Sequence, residues 1–132
     1  METTPGSKER LEKLVEQLRI TNIKRHIFLC ADQTKPMCAP KEVGLESWNY
    51  LKRRLEELGL TRSDDCVYRT KANCLRICEQ GPIALVYPEG TWYHSMTPER
   101  IGRLVQEHLM EGRPVEEWVF AHNPLPSQPG SE

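Results

Sequence analysis

The sequence predicts a two-layer α/β domain. Segments with apolar residues at helical spacing alternate with short apolar runs that suit strands. A Pro-x-Gly turn between two of those runs marks a hairpin. The chain has 132 residues, enough for one compact core with room for tails.

The elements read in order as follows. Met1 to Gly6 is a polar lead-in expected to be disordered. Ser7 reads as an N-cap, and Leu11, Leu14, Val15 and Leu18 then fall on one face of a helix whose other face is Glu, Lys and Arg. Such an amphipathic helix is expected to lie on the domain. The run Ile27-Phe28-Leu29 places the first strand over Ile23 to Cys30, covered on both faces. A loop with two prolines, Ala31 to Gly44, leads to a helix carrying Leu45, Trp48, Leu51, Leu55 and Leu58, stopped by Gly59.

Strands follow at Cys66 to Thr70, Ile83 to Tyr87 and Thr91 to His94. The last two form a hairpin around Pro88-Glu89-Gly90, with proline where a turn wants its fixed φ. Thr97-Pro98 starts the final helix, Ile101, Leu104, Val105, His108 and Leu109 form its buried face, and Gly112 ends it. In the extension 113–132, Val115, Trp118, Val119 and Phe120 are apolar enough to fold back on the body; disorder is expected beyond His122.

Composition bounds the function. Hydrophobic residues make up 38% and charged residues 28%, a soluble globular balance, and a net charge of −1 leaves no nucleic-acid footprint. No apolar run of about 18 residues predicts a membrane span. Met1 to Arg10 lacks the apolar core of a secretory signal. A reducing, cytoplasmic setting is therefore expected, where cysteines serve as metal ligands or thiols rather than as a disulfide framework.

Four of the five cysteines are ordered in two loops. Cys30 and Cys38 are separated by seven residues, Cys74 and Cys78 by three, and 35 residues lie between the pairs. Four thiolates can hold one zinc ion or one two-iron, two-sulfur cluster. Neither pair has the C-x-x-C spacing of a zinc knuckle or a dithiol oxidoreductase. The wider spacings suit a larger object with two metals. Lys35, Lys41, Lys71 and Arg76 lie in or beside these loops, where positive charge would favour a more negative reduced state.

The remaining candidates have plainer readings. Cys66 falls in a strand and reads as a buried thiol. His26, His94, His108 and His122 have no ligand spacing, and Trp48, Trp92 and Tyr93 read as core packing rather than a cofactor platform. No phosphate loop or nucleophile–base pair argues for catalysis by the chain itself.

Several segments together carry a more specific signal: His26-Ile27-Phe28-Leu29-Cys30, then Cys74-Leu75-Arg76-Ile77-Cys78, then Gly81-Pro82-Ile83-Ala84-Leu85-Val86-Tyr87-Pro88-Glu89-Gly90-Thr91-Trp92-Tyr93. The chain resembles the thioredoxin-like [2Fe-2S] ferredoxin family, which is related to the peripheral ferredoxin subunit of respiratory complex I. The resemblance runs from about Ile23 to Gly112. It implies a thioredoxin-like fold over 23–112, here preceded by an N-terminal tail and amphipathic helix over 1–22 and followed by a C-terminal extension over 113–132. It also implies one [2Fe-2S] cluster held by Cys30, Cys38, Cys74 and Cys78, electron transfer with redox partner proteins, and often a homodimer. Gly81-Pro82 sits where thioredoxin-like folds often place a cis proline. The rival readings are a structural zinc or interaction module, a labile-cluster redox sensor or assembly factor, and a subunit of a larger oxidoreductase.

Overall fold

The structure is a computed structural model and describes residues 5–31, 40–77 and 79–126. Helix α1 spans Pro5–Leu18, and a 3-10 turn at Ile20–Asn22 leads into β1, Ile23–Cys30. Helix α2 (Lys41–Glu57), β2 (Cys66–Ala72), β3 (Ala84–Tyr87) and β4 (Thr91–Tyr93) follow. Helix α3, Pro98–Leu104, runs on as a wider π-helical stretch at Val105–Met110. A 3-10 turn at Glu116–Trp118 then leads into β5, Val119–His122.

One five-stranded sheet has the order β2-β1-β3-β4-β5. The β1–β2 pair is parallel and the other pairs are antiparallel. A parallel pair needs a crossover, and α2 supplies it between β1 and β2. Alternation along β1 sets the layers: Arg25, Ile27 and Leu29 are buried, whereas His26 and Phe28 are half-buried. Ile27 and Leu29 join Leu51 and Leu55 of α2 and Ile101, Leu104 and Val105 of the last helix in one core. On the other side of β1, His26 stacks on Phe28 at 4.1 Å, with Tyr68 edge-on at 5.2 Å.

A directional hydrogen-bond chain ties the last helix and the extension to this core. The Val115 amide donates to the Tyr93 hydroxyl at 3.0 Å. That leaves the Tyr93 O–H to donate to His108 Nδ1 at 2.7 Å. His108 Nε2–H then donates to Glu89 Oε1 at 2.9 Å. Glu89 also accepts from Arg25, whose Nη2 lies 2.8 Å from Oε2. A buried polar group is tolerable only when partnered in this way, and His108 and Tyr93 are both fully buried.

Several expectations need correction. Helix α1 begins at Pro5, not after Ser7; proline at a first helical position has no N–H to leave unpaired. Its apolar stripe does not lie on the domain: Leu11 is 61% exposed, and Leu14 and Leu18 are exposed too. The chain turns at Arg19, which adopts a left-handed conformation, and Arg19 pairs with Asp64 at 3.4 Å. In α2 the buried line is Gly44, Ser47, Leu51 and Leu55, whereas Leu45 and Trp48 are half-buried. Gly44 is buried because the helix comes so close to β1 that a Cβ there would stand 3.2 Å from Ala31 Cα.

The β3–β4 turn also differs from its expectation. The Tyr87–Pro88 bond is cis, like Gly81–Pro82. Gly90 has φ +65°, and a Cβ there would strike the Asn123 carbonyl. The chain beyond His122 runs alongside: the Asn123 amide donates to the Gly90 carbonyl at 2.7 Å and the Leu125 amide to the Pro88 carbonyl at 3.0 Å. The expected disorder therefore does not begin at His122, because the turn offers those two amides acceptors.

Candidate metal centre

The parallel pairing of β1 and β2 delivers two of the four loop cysteines to one end of the sheet. Cys30 is the last residue of β1 and stands opposite Ala72, the last residue of β2. The Ala31 amide donates to the Ala72 carbonyl at 3.0 Å, extending the pairing by one residue. Cys74 lies just past that strand end. Adjacent strands are about 4.8 Å apart, so the segments carrying Cys30 and Cys74 leave the sheet side by side. Cys38 and Cys78 lie outside the described residues, as does Lys35.

The two sulfurs have different surroundings. Cys30 is 1% exposed, whereas Cys74 is exposed. The Ile83 amide donates to Cys30 Sγ at 3.0 Å, and the Cys30 amide donates to the Ile83 carbonyl at 3.0 Å. Pro82, which precedes Ile83, cannot donate an amide itself. At Cys74 the Arg76 amide donates to Sγ at 3.1 Å. Arg76 has φ +73°, one of four non-glycine residues with positive φ among the described residues. Three of those, Arg76, Gln80 and Ser95, lie in or against the second cysteine loop.

Backbone donors aimed at sulfur are what a metal-bound thiolate needs, because they spread its negative charge without a competing ligand. The donor set therefore fits a thiolate-ligated centre. Among the described residues alone, no group of three or more His, Cys, Asp or Glu is placed to hold a metal ion. Lys41, Lys71 and Arg76 are exposed around this end of the sheet.

Cys66 is at the wrong end. It opens β2 opposite Ile23, the first residue of β1. Ala72 is six residue steps further along the strand, or about 20 Å at ~3.3 Å per residue. Its thiol donates to the Arg19 carbonyl at 3.5 Å, and burial pushes its pKa up. A buried, protonated thiol suits packing better than ligation. The sequence reading missed the amides of Ile83 and Arg76. No side-chain pattern marks a backbone donor, although the Gly-Pro before Ile83 marks an unusual backbone there.

No protein-family model matches the chain. It is 39% identical over 111 residues to a 2Fe-2S ferredoxin of Aquifex aeolicus (strain VF5), covering 77% of this chain and 94% of the relative. Its fold matches the crystal structure of the wild-type thioredoxin-like [2Fe-2S] ferredoxin from Aquifex aeolicus with a TM-score of 0.61 at 28% identity, over 74% of this chain and 96% of that one. The chain belongs to the thioredoxin-like [2Fe-2S] ferredoxin family. A 2Fe-2S ferredoxin of Clostridium pasteurianum is 32% identical over 101 residues, covering 73% of this ferredoxin-family chain and 95% of the relative. In this chain β5, within the C-terminal extension, is the outer strand beside β4, and α1 precedes the first strand.

Proposed function

We propose that this chain is a one-electron carrier whose [2Fe-2S] cluster is held by Cys30, Cys38, Cys74 and Cys78. The pair of amide-to-sulfur hydrogen bonds at one sheet end, Ile83 to Cys30 and Arg76 to Cys74, is the observation that carries the reading. Family membership supports the same assignment. When bound, such a cluster takes up and gives back one electron, its formal charge moving from about −2 to about −3.

The chain's own residues do the rest. Cys30 anchors one side of the site in the core, where β1 and Ile83 fix its sulfur. Cys74 and Ile77 lie on the exposed side, where a partner can approach closely. The Ile83 and Arg76 amides offset negative charge at the sulfurs they contact, which favours the reduced form. The electron donor and acceptor are partner proteins. No helix among the described residues is long and apolar enough to cross a membrane, and the reading places the carrier in the cytoplasm. It extends to a homodimer, for which the exposed leucine stripe of α1 offers apolar surface; sedimentation of the purified protein tests that part.

Iron, acid-labile sulfide and visible absorbance of the purified protein test the central assignment. The expected result is a reddish-brown protein that bleaches with dithionite. A colourless protein holding stoichiometric zinc would sink the assignment in favour of a structural module.

A further inference from the structure

The extension beyond the last helix reaches the cysteine loop through one corner of the chain. That corner is His94-Ser95-Met96, directly after β4. The His94 amide donates to the Trp118 carbonyl at 3.2 Å, which binds the corner to the extension. The Ser95 amide donates to the Gln80 carbonyl at 2.7 Å and the Met96 amide to the Pro82 carbonyl at 2.9 Å, which bind it to the loop. Ser95 and Gln80 both have φ near +55°, a conformation L residues hold only where surrounding contacts impose it. The loop that carries Cys74 is thus gripped from the side on which β5 lies.

A second observation places a side chain there. A groove of about 190 Å³ is lined by Ile77, Glu79, Gln80, Ile83, His94 and Phe120. Ile77 is the residue before Cys78, and the Ile83 amide bonds the Cys30 sulfur. Phe120 lines the same groove. It sits at the irregularity in the β4–β5 pairing, between Val119, which faces Tyr93, and Ala121, which faces Trp92. Its ring centre lies 6.3 Å from those of both His94 and Trp92. A bulge at a sheet edge re-aims a side chain. A phenylalanine 44% exposed on a polar extension contributes little core packing where it stands.

We propose that Phe120 is a positioning residue of the cysteine site, an apolar wall contributed by β5 that limits the access of water to Ile77 and Ile83 beside it. The inference rests on the [2Fe-2S] reading above. Its physical content is solvent exposure: water admitted beside the site stabilises the more negative, reduced form, which raises the reduction potential. The same opening lets oxygen and chelators reach the sulfurs.

The test uses the full chain with its cluster. Three variants, Phe120→Ala, Phe120→Gln and Phe120→Leu, are compared with the unaltered protein by reduction potential and by the rate at which visible absorbance is lost to a chelator. Phe120→Ala and Phe120→Gln are expected to raise the potential and lose the cluster several-fold faster, with far-ultraviolet circular dichroism unchanged. Phe120→Leu keeps an apolar wall and is expected to stay close to the unaltered protein. If Phe120→Ala does not fold, Phe120→Gln is read the same way. Unchanged potential and loss rate in a folded Ala or Gln variant would overturn the role of Phe120 while leaving the cluster reading standing. An unaltered chain that holds no cluster would overturn both.

Discussion

Ile83 holds Cys30 by two hydrogen bonds: its amide donates to the Cys30 sulfur at 3.0 Å and its carbonyl accepts from the Cys30 amide at 3.0 Å. One residue thus fixes both the backbone and the sulfur of the first cysteine. Ile83 stands directly before β3, which pairs with β1. The sheet itself therefore sets the position of the sulfur.

Removing a ligand and removing the residue that supports it have different consequences. Cys30→Ala and Cys74→Ala are expected to lose stable cluster incorporation, read as iron content and visible absorbance. Ile83→Ala keeps the amide donor. It deletes a fully buried side chain, which costs about 2–5 kcal/mol of stability, so denaturant unfolding shifts while the spectrum of the folded protein persists. Full absorbance in either cysteine variant would contradict the ligand assignment.

Cys66→Ser is expected to leave the visible spectrum as it is. The position is at the far end of β2 from Ala72 and Cys74, and a serine hydroxyl can donate to the Arg19 carbonyl as the thiol does. A spectrum altered by this change would bring Cys66 into the ligand set.

Stability is expected to fall on acidification in two stages. Burial is the largest influence on His108 and holds its pKa below the ordinary 6.5, against the opposing pull of Glu89. Burial pushes Glu89 up, yet hydrogen bonds from Arg25 and His108 outweigh it and hold the carboxyl below 4.5. Both groups take up protons more readily in the unfolded chain. Their contribution is fully present above about 6.5 for His108 and above about 4.5 for Glu89, and it is lost as pH falls through the lower, folded-state values. Denaturant midpoints measured from neutral pH downward check this. Tyr93→Phe strips the Val115 amide of its acceptor and His108 of its donor, at a cost of about 1–3 kcal/mol, and is expected to change the His108 part of that pH dependence. Identical pH profiles for the two proteins would remove Tyr93 from the network.

Gly90→Ala is expected to loosen the segment after β5. The added carbon meets the Asn123 carbonyl at a residue with φ +65°, and the left-handed conformation alone costs an L residue about 1–2 kcal/mol. Faster amide exchange at Asn123 and Leu125 would report it. Exchange as slow as in the unaltered protein would show that the turn can accept a side chain.

Much of this fold is legible in the sequence because its signals are local. Thr97-Pro98 starts the last helix, Gly59 and Gly112 stand at positive φ where helices stop, and the hairpin brackets Pro88-Glu89-Gly90. What stays hidden depends on tertiary contact. Gly44 and Ser47 belong to the buried line of α2 yet carry no hydrophobic signal. Strand β5 is short, exposed at all but Val119 and paired through an irregular register, so no clean alternation announces it. The stripe of α1 looks like a docked face, and only the structure shows it facing outward. At the candidate centre, thiol chemistry and spacing single out the cysteines. The amides of Ile83 and Arg76 are invisible to such reading, because nearly every residue carries one.

Electron paramagnetic resonance of the anaerobically reduced protein tests most directly whether the two loops jointly hold the cluster. A centre ligated by all four loop cysteines predicts the signal of a reduced two-iron, two-sulfur cluster, integrating to a single unpaired electron per chain and absent from Cys30→Ala and Cys74→Ala. A reduced protein with no such signal, or one whose signal survives loss of Cys30 or Cys74 unchanged, would contradict it.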